Sequence, residues 1–126
     1  MGESSILNEI AEFASKRGYN VEARGNVLRI IHPDMDDLGL VIREDDGTVY
    51  IELLQGEELR DSLDDLIQET DRETVEEYIR EDILSDLESL ASNIEALCRA
   101  RGLRVENRVR EGILDVLEIL EDIAEY

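Results

Sequence analysis

Residues 57–101 read EELRDSLDDLIQETDRETVEEYIREDILSDLESLASNIEALCRAR, a run between Gly56 and Gly102 that holds neither glycine nor proline. Its second part decides the fold. Thr70-Asp71-Arg72-Glu73 has the spacing of a capping box, in which the Thr70 hydroxyl accepts from the Glu73 N–H and the Glu73 carboxylate reaches back. Glu76 and Glu77 follow where the positive end of a helix dipole favours acids. Ile83, Leu87, Leu90, Ile94 and Leu97 then recur at alternating steps of four and three. That is the seam of a helix packed lengthwise on another helix. Leu84, Ala91 and Cys98 widen it into a stripe. Unbroken from Asp71 to Arg101, this helix is roughly 45 Å long at ~1.5 Å per residue. A compact domain of this length is only about 36 Å across. One end should therefore overhang, unless the helix bends near Ser92-Asn93. A second copy of the chain is the simplest cover for an overhanging apolar stripe. The opposite face carries Ser85, Ser89, Ser92 and Ala96, small enough to admit close approach, and is expected to be solvated.

Before this run the pattern has the period of strands. Ile6, Leu7, Ile10, Phe13 and Ala14 share one face of a first helix that Ser4 or Ser5 can cap, ending at Lys16-Arg17-Gly18. Tyr19 to Ala23 alternates, Gly25-Asn26 turns, and Val27 to Ile31 returns. The single proline, Pro33, fixes a loop from His32 to Asp37. Leu38 to Arg43 and Thr48 to Leu54 are two further strands joined by Asp45-Asp46-Gly47. The expected sheet is a four-stranded antiparallel meander with the first helix on its apolar face. The second face of the fourth strand, Tyr50, Glu52 and Leu54, is not cleanly polar, so it too invites a cover. Glu57 to Gln68 gives a shorter helix with Leu59, Leu63, Leu66 and Ile67 on one side.

After Gly102 the chain repeats itself faintly, since Arg17-Gly18-Tyr19-Asn20-Val21-Glu22 echoes Arg101-Gly102-Leu103-Arg104-Val105-Glu106. A short fifth strand would explain the echo, but helix–glycine–strand junctions draw on few residues, and coincidence is the reading preferred. The last helix spreads Val109, Ile113, Leu114, Val116, Leu117, Ile119, Leu120, Ile123 and Ala124 over an arc of roughly 220° at ~100° per residue. A monomer surface needs about half of that. Past Arg110 it carries only acids, which oppose its dipole, so packing on two sides is expected to hold it.

Composition bounds the function. One domain spans 1–126, with 1–56 as helix plus sheet and 57–126 as a helical, assembling part. The fold class expected is α+β: helix, four-stranded meander, then three helices with the last two as a long antiparallel hairpin. Thirteen bases against 33 acids give a net charge of −20, and Lys16 is the only lysine. Such a surface resists aggregation and repels phosphate backbones, so direct nucleic-acid binding is not expected. No apolar run approaches the ~20 residues of a membrane span, and Met1 to Ser5 lacks the features of a signal peptide. A cytoplasmic protein is therefore expected, from a proteome adapted to salt. The lone Cys98 reads as a core hydrophobe rather than a redox centre.

Chemistry finds few footholds. His32, Asp34, Asp36 and Asp37 form the one cluster with metal-ligand residue types. It does not fit an EF-hand, because Leu38 takes the fifth ligand position, and Asp45-Asp46 belongs to the opposite end of the sheet. No cofactor is implied, and no nucleophile or glycine-rich phosphate motif occurs. Arg24, Arg29 and Arg43 can make a basic patch, although salt-bridged surface arginines are the expectation. An N-terminal helix and small meander in an acidic dimer is similar to the architecture of type III secretion chaperones. That similarity ends near Leu54 and implies no activity here.

The function expected is a non-enzymatic interaction or adaptor protein, a homo-oligomer with a dimer favoured, in contact through Leu87, Leu90, Ile94, Leu97, Val116 and Leu120. Leu90→Glu or Leu120→Glu is then expected to give a monomer or an unfolded chain. The alternatives are an acidic nucleic-acid mimic that binds a basic protein, and a metal-dependent enzyme built on the His32 loop.

Overall fold

The computed structural model describes the backbone from Ser5 to Ala124 and the side chains from Ile6 to Ile123. The Ser4 or Ser5 cap lies outside those side chains. Helix α1 (Ser5–Lys16) leads into strands β1 (Asn20–Arg24), β2 (Val27–His32), β3 (Met35–Asp45) and β4 (Thr48–Gln55). Helices α2 (Leu59–Glu69) and α3 (Arg72–Glu77) follow, then a π-helical segment (Tyr78–Leu84) that runs into α4 (Ser85–Ala100). Strand β5 (Arg104–Asn107) and helix α5 (Val109–Ala124) complete the chain. The α+β class and the order helix, meander, helices follow from the alternation and turn residues of the sequence.

The echo at Arg101 is a real strand. β5 joins the sheet parallel to β4, pairing Val49 with Val105 and Ile51 with Asn107, in a sheet ordered β1-β2-β3-β4-β5. The two junctions that echo in sequence also repeat in hydrogen bonding. Tyr19 N donates to the Ala14 carbonyl and Leu103 N to the Cys98 carbonyl, at 3.2 and 3.1 Å. Gly18 and Gly102 supply the left-handed residue that such a helix end requires, at φ 93° and 78°. The same helix–strand corner thus closes both edges of the sheet, and the two edge strands run in opposite directions.

Helices α1, α4 and α5 cover one sheet face. Leu28, Ile30, Leu38, Leu40, Ile42, Val49 and Ile51 point into it and are essentially inaccessible. Burying each such side chain contributes ~1.5–3 kcal/mol, and one cluster runs from Ile6 to Ile123. α5 touches α4 but seats chiefly on β4 and α2, with β5 inserted in the connection between the last two helices. Gly112 brings its backbone close enough that a Cβ there would stand 2.5 Å from Leu53 Cβ.

The long helix departs from expectation in two ways. Its N-cap is Asp71, not Thr70: Asp71 Oδ1 accepts from Thr74 N at 2.8 Å and Oδ2 from the Thr74 hydroxyl at 2.9 Å. Thr70 instead ends α2, its hydroxyl donating to the Leu66 carbonyl at 3.0 Å. A carboxylate accepts better than a hydroxyl, and the overlapping Asp-x-x-Thr satisfies the same orphan N–H groups. Secondly, the irregularity lies at Tyr78–Leu84 rather than near Ser92. Val75, Ile79, Ile83 and Leu87 are all buried at successive steps of four. At ~3.6 residues per turn such a row drifts about 120° over three steps. The wider π turn takes up that drift and keeps all four on the core.

Candidate functional site

The histidine corner comes first, as the only cluster with ligand chemistry. Pro33 and Asp34 form a two-residue turn, so β3 begins at Met35 instead of Leu38 and His32 closes β2 on the helix-covered face. Only 2% of His32 remains exposed. Its Nδ1 accepts from the Asp34 backbone N–H at 3.1 Å, which leaves the ring proton on Nε2, 3.4 Å from Asp86 Oδ2. Tyr19 packs edge-on at 5.6 Å. Burial pushes the Tyr19 hydroxyl pKa up, Asp86 adds to the rise, and Arg17 opposes it. Both imidazole nitrogens are thus committed within the fold, and no lone pair remains for a metal or a substrate proton. The ring ties the end of β2 to the first turn of α4, just past the π segment.

The four expected ligands diverge. His32 faces the core, Asp34 and Asp36 face solvent, and Asp37 Oδ2 accepts from the Ser62 hydroxyl on α2 at 2.7 Å. Strand alternation turns neighbouring acids to opposite faces, and β3 starts early enough to impose it. Among the described residues no three metal-ligating side chains converge. Cys98 is buried, and burial followed by the charges of Glu44, Glu95 and Glu9 pushes its thiol up to about 11. It has no thiolate chemistry near neutrality.

The seam residues stand elsewhere than a contact surface. Leu87, Leu90, Ile94, Val116 and Leu120 are at most 2% exposed and belong to the core of a single chain. Leu97 is half-buried at its edge. The sheet supplies the second packing partner that the sequence assigned to another copy, so these side chains do not form an accessible patch. Most of the wide arc of α5 is absorbed in the same way, leaving Leu114 at 58% exposure as its outlying apolar residue. The small face of α4 lines an open groove of about 560 Å³ with Ser89 and Ser92. Two pairs across it are joined: Asn107 Nδ2 donates to Glu95 Oε1 at 3.1 Å, and Arg110 lies 3.7 Å from Glu88. Arg99 Nε also donates to Glu95 Oε2 at 2.9 Å, and the bonds from Asn107 first and Arg99 second hold the Glu95 carboxyl below its usual range.

What the fold leaves uncovered is the other face of the sheet. The register places side chains on it in rows. One row is Arg24, Val27, Arg43, Tyr50 and Glu106, and the next is Glu22, Arg29, Val41 and Glu52. Ile31, Gly39 and Leu54 form a third, in which Gly39 and Leu54 are already buried within the chain. Val27, Ile31, Val41 and Tyr50 are half-buried and stand outside the core cluster. The arginines here are not salt-bridged as expected. Among the described residues seven of the twelve arginines lie within 4 Å of a carboxylate, and none of Arg24, Arg29, Arg43 and Arg104 is among them. Arg43 lies over the Tyr50 ring at 4.8 Å. Alternation in the sequence named Arg24, Arg29 and Arg43. Tyr50 joins them through the pairing of β4 with β3, and Arg104 only through the pairing of β5 with β4.

No protein-family model, no curated protein and no solved structure matches this chain. Among the described residues no helix is long and apolar enough to cross a membrane.

Proposed function

We propose that this protein is a non-enzymatic, cytoplasmic interaction module that docks through the uncovered face of its sheet. The observation that carries this reading is a sheet face combining four unpaired arginines with half-buried Val27, Ile31, Val41 and Tyr50. Of the five arginines without a carboxylate partner among the described residues, four stand on this one face, although acids outnumber bases 33 to 13. Arginine and tyrosine with apolar neighbours are the residue types that carry binding energy at protein interfaces. The commitment of both His32 nitrogens supports a role without catalysis.

The reading is tested by retention on the immobilised full chain. Wild type, Val41→Glu on the open face and Glu118→Lys on the exposed side of α5 are each incubated with extract of the native host. Proteins held by wild type and Glu118→Lys, but lost from Val41→Glu, are expected. Equal retention on all three baits would contradict docking by the sheet.

A further inference from the structure

We propose that the occupant of the open sheet face is a second copy of this chain, packed sheet on sheet about a two-fold axis along β3. The proposal rests on the docking reading above and names its partner. Charge selects that partner. The face holds Arg24, Arg29, Arg43 and Arg104 against Glu22, Glu52 and Glu106, with Asp37 and Asp45 at its ends. It is close to neutral, so nearly all of the net −20 lies elsewhere on the molecule. Two copies that approach through this face avoid the local repulsion that the acidic helices and loops would add to their long-range charge.

The register then makes the face complementary to itself. A two-fold along β3 preserves each row and exchanges β1 with β5 and β2 with β4. Arg24 therefore comes opposite Glu106 of the second copy, and Arg29 opposite its Glu52. Both charge pairs occur twice. Val27 meets Tyr50, and Val41 meets itself on the axis. Arg43 also meets its own copy, stacked on Tyr50 and with Asp45 two residues along the same face. Sheets that pack face to face align within about 30°, the arrangement this axis produces. Five strands at ~4.8 Å, four to eleven residues long at ~3.3 Å per residue, give a footprint of roughly 400–600 Å² per copy. That is the low end for a specific interface, so a dissociation constant on the order of micromolar is expected.

Reciprocal charge reversal tests the axis, because Arg29 and Glu52 sit on strands separated by β3 and pair only between copies. Sedimentation equilibrium on the full chain, carried into the high micromolar range, is expected to give a dimer for wild type. Arg29→Glu and Glu52→Arg should each weaken it by about tenfold or more. The double variant should return to within about threefold of wild type. Arg24→Glu with Glu106→Arg repeats the test should the first pair lose the wild-type circular dichroism. A wild type that stays monomeric overturns the proposal, as does a folded double variant no tighter than its parents. The docking reading fails separately, when retention does not depend on Val41.

Discussion

At Gly39 the sheet leaves no room for a side chain. A methyl there would fall on the Ile30 carbonyl, beside the break in register between Ile31 and His32. Gly39→Ala is therefore expected to cost ~1–3 kcal/mol, read as a lower urea midpoint at unchanged slope. Asp71 is a second residue whose role is local. Its carboxyl is held below the ordinary 3.8 by the Thr74 backbone N–H first and the Thr74 hydroxyl second. A depressed folded value means that the cap contributes fully above 3.8 and is lost as pH falls through the folded value. Asp71→Ala should thus lower Tm near neutrality, and the gap from wild type should close on acidification. A gap that persisted at the lowest pH tolerated by the fold would mean that the lost contact is not the ionised cap.

The element that sets the phase of the molecule is the π segment. It fits one more residue into a turn than an α-helix does, so deleting exposed Glu81 converts the steps from Val75 to Leu87 into four, three and four. That is already an α pattern. The deletion variant is expected to fold with near wild-type circular dichroism, whereas deleting Ser89 rotates half the stripe by ~100° and should unfold the chain. Thermal melts of the two distinguish them. The strands, their turns and the buried stripe from Ile83 to Cys98 were legible because period and punctuation fix them. What covers that stripe was not, since a helix shows the same apolar face to a sheet of its own chain as to a neighbour. The cap was misplaced because Thr70-x-x-Glu73 and Asp71-x-x-Thr74 overlap, and only coordinates tell which side chain turns inward. β5 escaped because four residues with one half-buried side chain carry no periodicity of their own. The metal loop dissolved for the converse reason, a strand starting three residues early and sending its acids to opposite faces. The arginines of the open face were visible as alternation, but their missing partners appear only with the register.

Over the whole molecule the helical side is closed and the sheet side is open. The terminal helices bury their stripe in one chain, and the excess of acids lies over the helices and loops around it. The proposed contact between copies uses the one face where charges balance. Screening the long-range repulsion should strengthen that contact, since the Debye length shrinks to ~3 Å at 1 M salt while closely packed pairs are screened less. Light scattering at high protein and high salt on wild type, Val41→Glu and Leu114→Glu tests this most directly. A dimer mass for wild type and Leu114→Glu, with a monomer mass for folded Val41→Glu, is the result expected. A dimer lost with Leu114 and kept with Val41→Glu would return the assembly to the last helix and contradict the account.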